Sequence, residues 1–99
     1  MLISSDINVN AGGGIFGSPM HLAVVKLEIW LVRALVSKGA DLNKPDCDGN
    51  TPLHLVMNVF SKNPLKCSYI TEILVMNGAK VNIKNIDNWT PLHIAVRKG

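Results

Sequence analysis

Charge is scarce in this sequence. Asp, Glu, Lys and Arg make up 17% of it, against 47% hydrophobic residues, a balance that excludes an intrinsically disordered chain. Long hydrophobic runs are missing too. The greasiest stretch, Leu22 to Val36, is interrupted by Lys26, Glu28 and Arg33, well short of the roughly 18 apolar residues of a membrane span. The first residues lack a basic start and a continuous apolar segment, so no secretion signal is expected. Cysteine is confined to Cys47 and Cys67, too few for a disulfide scaffold and in no C-x-x-C motif. Two such thiols fit a reducing compartment, so a cytoplasmic or nuclear location is expected.

Ten basic and seven acidic residues leave a net charge of +3. The basic residues are scattered from Lys26 to Lys98, with no run longer than Arg97-Lys98. That is ordinary surface charge rather than a nucleic-acid stripe. A length of 99 residues leaves room for one small domain or a slice of a repeat array. A mean hydropathy of +0.23 is high for a soluble domain and implies apolar surface covered by something outside the chain.

What the sequence does have is internal repetition. Ser18-Pro19-Met20-His21, Thr51-Pro52-Leu53-His54 and Thr90-Pro91-Leu92-His93 align, with their histidines 33 and 39 residues apart. A second landmark keeps step with the first: Gly39-Ala40-Asp41-Leu42-Asn43 and Gly78-Ala79-Lys80-Val81-Asn82. Ser18, Thr51 and Thr90 are suited to cap helices, each followed by proline at the first helical position. Leu53 and Leu92 then begin an apolar face, continued by Val56 and by Ala95-Val96. A second helix follows, with Ile29, Val32, Leu35 and Val36 at helical spacing, echoed by Ile70, Ile73 and Leu74. Gly39 and Gly78 close these helices. Asp48-Gly49 and Asp87-Asn88 are tight-turn dipeptides. The predicted unit is helix, turn, helix, then a hairpin-like finger.

On these residues the chain resembles the ankyrin repeat, whose length and T-P-L-H signature match. The resemblance implies an all-α solenoid of stacked helix pairs with β-hairpin fingers at right angles. In register it gives about two full repeats with partial repeats at both ends. The divisions expected are 1–10 as the tail of a preceding repeat, 11–43, 44–82 and a truncated 83–99. Residues Met1 to Asp6 resemble the last turn of a missing second helix, and the sequence stops after the first helix of its last repeat. A fragment of a longer array is therefore expected, because such repeats bury their core only against neighbours.

The middle repeat is six residues longer than the first, and the extra residues are expected in the helix–helix loop around 60–66, with Asn63-Pro64 supplying its turn. The competing reading is a partner-specific knob carrying Phe60 and Lys62. Cys67 is expected to begin the second helix as a half-buried hydrophobe. Trp30 and Tyr69 occupy equivalent places. Stacking across the repeat boundary is favoured for them over an exposed strip, with less than about a fifth of each exposed. Gly12-Gly13-Gly14 marks a loosened first finger. Gly12, Gly14 and Gly17 also spell G-x-G-x-x-G, but the strand–turn–helix–strand setting of a dinucleotide site is missing.

Catalytic patterns are absent from the sequence. His21, His54 and His93 fall one per repeat, spread along the stack rather than converging on one ion. Each is expected to bridge its own cap residue and the backbone of an adjacent finger. Cys47 and His54 lie on opposite sides of a finger turn, with no third group to orient the imidazole. No enzyme activity, cofactor, metal or small-molecule ligand is expected, and no membrane or nucleic-acid partner.

Function then rests on surface. The resemblance implies partner contacts on the fingers, at Pro45, Cys47, Asp48 and Asn50 and at Lys84, Ile86, Asp87 and Trp89. On the first helices it implies Val25-Lys26, Asn58-Val59 and Arg97-Lys98. Trp89 is the leading candidate, with packing against Asn50 as its structural alternative. Lys84, Arg97 and Lys98 favour an acidic partner surface. The function expected is a protein–protein interaction module, whether scaffold, adaptor or inhibitor. The alternative is an internal spacer that contacts only flanking ankyrin repeats.

Overall fold

The structure, a computed structural model, describes residues 17–98. Five α-helices follow one another: α1 (Pro19–Val25), α2 (Ile29–Ser37), α3 (Pro52–Asn58), α4 (Pro64–Met76) and α5 (Pro91–Lys98), with a 3-10 turn at Phe60–Lys62. The triple glycine and the rest of residues 1–16 lie outside the described residues. Ser18 and Thr51 are extended N-caps and a proline opens each helix behind them, as the sequence predicts. The helices α1, α3 and α5 pack side by side in one layer, and α2 and α4 lie behind in a second.

The core between the layers is apolar. Met20, Ala23 and Val24 of α1 meet Val32 and Leu35 of α2, and Leu53 and Val56 of α3 meet Cys67, Ile70 and Leu74 of α4. The second helices end alike. Gly39 and Gly78 stand at φ +84° and +102°, their N–H groups donating to Val36 and Val75, and the alanine after each donates to Leu35 or Leu74. This is the Schellman closure. The helix α1 closes in the same way with no glycine. Leu27 takes φ +57°, its N–H donating to Val24 and that of Glu28 to Ala23. The left-handed backbone costs a non-glycine residue about 1–2 kcal/mol, offset here by the packing of the Leu27 side chain on the core.

The six-residue insertion is not simply a longer loop. Three residues separate α1 from α2 and five separate α3 from α4, while α4 has 13 residues to the 9 of α2. Two inserted residues thus enter the connection and four add a turn to the front of α4. Asn63-Pro64 is a helix start rather than a loop turn, the Asn63 side chain accepting from the Lys66 N–H at 3.2 Å. The added turn changes the place of Cys67, which sits inside α4 fully buried instead of half-buried at its start.

Three further expectations are corrected. Trp30 and Tyr69 are 47% and 48% exposed, because Val32 and Leu35, and Ile70 and Leu74, take the inward positions of their helices. Tyr69 does meet the preceding repeat, but through Arg33, whose guanidinium lies 5.7 Å from the ring centre. On α5, Pro91 and Ile94 are buried while Leu92 and Val96 stay 68% and 75% exposed, since only α3 packs closely on that helix among the described elements. The fingers, finally, are tight turns without strand pairing among the described residues.

The buried Cys67 thiol donates to the Val59 carbonyl at 3.6 Å, and desolvation raises its pKa. Above the ordinary thiol range, near pH 9, the unfolded chain releases a proton that the folded chain keeps. Stability contributed below that range is therefore lost as pH rises. Exposed Cys47 should react with a thiol reagent in the native chain, and Cys67 only as fast as the fold opens. Cys67→Ala should flatten the alkaline decline of a urea-unfolding series. Equal labelling rates for both thiols would contradict this placement.

Candidate functional site

The fingers are built by Asp46 and Asn85, which stand two residues before the turn dipeptides. Asp46 Oδ1 accepts from the N–H groups of Asp48 and Asn50, both at 2.9 Å. Asn85 Oδ1 does the same for Asp87 at 2.9 Å and Trp89 at 3.0 Å. These are Asx turns, and an acid or amide at that offset was their signal in the sequence. The turns bring Gly49 and Asn88 to φ +76° and +62°. Finger joins finger through the Ile86 N–H donating to the Asp48 carbonyl at 2.9 Å. Asn85 Nδ2 also donates to Asn50 Oδ1 at 2.9 Å.

Histidines join the fingers to the helices. His54 Nδ1 accepts from the Thr51 N–H at 3.0 Å, and the Thr51 hydroxyl lies 2.8 Å away. Its Nε2 is 2.8 Å from the carbonyl of Trp89. An acceptor at Nδ1 and a carbonyl at Nε2 assign the Nε2–H tautomer. His21 repeats the arrangement with Ser18 and the carbonyl of Asn50, at 3.0 and 2.8 Å. Both rings are buried, and both of their nitrogens are used as the sequence predicts. His93 caps its own helix through Thr90 and is exposed. With both nitrogens of His54 so engaged, it is not set up as a base for Cys47.

This frame holds the predicted contact residues around two openings. One is a corner of about 250 Å³ between finger and helix, where Asn50, Asn58, Trp89 and Arg97 converge. Arg97 stacks on Trp89 with its guanidinium 4.9 Å from the ring centre, an arrangement worth about 0.5–1 kcal/mol at an exposed site. The Trp89 ring thus packs on Arg97, and Asn50 pairs with Asn85 instead. Asp87 lines a further depression together with Trp89 and Arg97. The other opening, about 480 Å³, lies along the fingers and collects Pro45, Cys47, Lys84 and Ile86. Lys84 therefore shares a cleft with Ile86 rather than with Arg97. Asp48 is exposed at the second finger tip, and Lys98 lies on the last turn of α5. At the end of α1, Val25 and Lys26 are exposed, and at the end of α3 Val59 is half-buried.

Chemistry and topology agree on what such a surface does. It presents an aromatic–cation pair and amide groups on a rigid stack, and among the described residues no three His, Cys, Asp or Glu side chains gather around a common point. A family model of ankyrin repeats, three copies long, matches residues 1–85. Repeats of that kind are generally protein–protein interaction modules and typically not enzymes. No curated protein matches the chain. The stacked helix pairs, the histidine ties to each following finger and a match over most of the length lead to one conclusion: the chain belongs to the ankyrin-repeat family.

Proposed function

We propose that this chain is a scaffold, adaptor or inhibitor that holds another protein against the corner between its fingers and first helices. The observation carrying the reading is the Trp89–Arg97 stack at that corner, because tryptophan and arginine dominate the energetics of protein interfaces. Asn50 and Asn58 extend the surface along α3, and Pro45, Cys47, Asp48, Lys84, Ile86 and Asp87 form its finger side. The cationic Arg97 and Lys98 suit an acidic partner surface. The thiols of Cys47 and Cys67 suit the cytoplasm or nucleus. The chain reads as one array over residues 1–99. A spacer role is the second reading, supported by the exposed Leu92 and Val96 of α5, which suit stacking against a flanking repeat.

Trp89→Ala tests the leading reading. The bond from His54 goes to the Trp89 main-chain carbonyl, so the variant keeps it and should keep the helical circular dichroism signal. Its affinity for partners recovered with the wild-type chain should fall by more than about 1 kcal/mol. Partners held equally by both chains would remove the corner from the function and favour the spacer.

A further inference from the structure

The first-helix face toward the fingers changes character along the stack. Equivalent positions on that face are Leu22 and Val25 on α1, Leu55 and Asn58 on α3, and Ile94 and Arg97 on α5. The equivalent finger-base positions are Gly17, Asn50 and Trp89. At the α1 end, Leu22 and Val25 are nearly half exposed, at 46% and 47%. At the α5 end stand Trp89 and Arg97. Between them are the amides of Asn50 and Asn58, of which the Asn50 oxygen accepts from Asn85. This face therefore runs from exposed aliphatic surface, past amide groups, to a guanidinium held on an indole and, among the described residues, in no ion pair.

Resting on the reading of this groove as a protein-binding surface, we propose that its occupant is an extended partner segment carrying an apolar side chain six positions from an aspartate or glutamate. The apolar side chain covers Leu22 and Val25, and the carboxylate accepts from Arg97. The argument is complementarity of charge and polarity together with length. Neighbouring helix axes lie about 8–10 Å apart, so α1 and α5 are about 16–20 Å apart. An extended chain rises about 3.3 Å per residue, which makes that span about five or six residues. Alternate side chains of an extended segment face opposite ways, so both anchors enter the groove only at an even separation, and six is the one that fits. Among the described residues the acid that lines a depression with Trp89 and Arg97 is Asp87, and it opposes the bound carboxylate. The depression it lines shares Trp89 and Arg97 with the corner, which gives the segment a path onward and makes the acid a side chain rather than a chain end.

The test selects end-blocked random peptides of about twelve residues, twice the groove's span, on the full 99-residue chain. Selected peptides are expected to carry Leu, Ile, Met or Phe six positions from Asp or Glu, and to lose binding with Trp89→Ala. Arg97→Ala should lower their affinity roughly tenfold, the usual weight of a hydrogen-bonded charge. Changing the peptide's acid to its amide should do the same, with little further loss when both changes are combined. Leu22→Ser with Val25→Ser should relax the apolar preference and keep the acidic one, and Asp87→Asn should tighten binding. Peptides that need Trp89 but lack the spacing, or that ignore Arg97→Ala, would overturn this inference and leave the groove as the binding surface. A selection yielding no peptide that depends on Trp89 would overturn both.

Discussion

His54→Ala should lower the free energy of unfolding by about 3 kcal/mol, and His93→Ala should leave it within about 0.5 kcal/mol. The two residues have the same sequence context, so the difference isolates the next finger. Removing the imidazole of His54 strips the buried Thr51 cap of the acceptor for its N–H and the Trp89 carbonyl of one of its two donors, the Asn85 N–H remaining. The unsatisfied Thr51 N–H costs about 1–3 kcal/mol, and the bond lost at the Trp89 carbonyl adds about 0.5–1.5 kcal/mol. His21→Ala should behave like His54→Ala, since it leaves the Ser18 N–H without its acceptor and removes one of the two donors on the Asn50 carbonyl, the Asp46 N–H remaining. His93 caps its helix near the surface and ties no following finger among the described residues. A domain of this size has only about 5–15 kcal/mol in total, so the loss at His54 shows directly in urea unfolding. Equal losses at His54 and His93 would mean that the histidine acts within its own helix turn alone, and the link between repeats would have to lie elsewhere.

The features legible in the sequence are those set by local rules. Thr51-Pro52 fixes a cap and a first helical turn whatever surrounds it, and Gly39 or Asp48-Gly49 fixes a left-handed backbone. The phase of these marks was enough to place the histidines and the fingers. Where a local signal had two meanings, the neighbourhood decided. Asn63-Pro64 has the same cap-and-proline form as Ser18-Pro19, yet it also has the form of a loop turn, and α4 gained its extra helical turn there. Leu27 closes α1 without any signal, because its left-handed backbone is held by packing rather than by residue type. Trp30 and Tyr69 could not be assigned a side from their own helices, since exposure depends on how α2 and α4 sit together. The site divides in the same way. Register gave Asn50, Asn58, Trp89 and Arg97 as candidates, but their separation from Lys84 and Ile86 follows from the bonds between fingers, which span dozens of residues.

Those bonds make Gly49 the second sensitive position. Gly49→Ala should cost more than about 2 kcal/mol, against about 1 kcal/mol for Gly39→Ala. Both glycines have positive φ, so the backbone strain of a side chain is shared. The difference is space. A Cβ on Gly39 meets nothing within 4 Å, whereas one on Gly49 falls 2.9 Å from the Ile86 nitrogen and 3.2 Å from the Asn85 Cα. Both are main-chain atoms of the next finger, so no side-chain rotation relieves the contact. The finger itself must shift, and the Ile86 N–H is the donor to Asp48 that joins the two fingers. Asn88 holds the equivalent place in the third finger with φ +62° and carries a full side chain, because no further finger leans on it among the described residues. Glycine is therefore demanded by the approach of a neighbouring repeat as much as by the turn. Hydrogen exchange at Ile86 gives the local readout: Gly49→Ala should accelerate it well beyond the change at α1 and α2 amides, and Gly39→Ala should not. Equal costs for the two substitutions would show that turn strain alone sets the requirement, and the close seating of finger on finger would contribute nothing measurable.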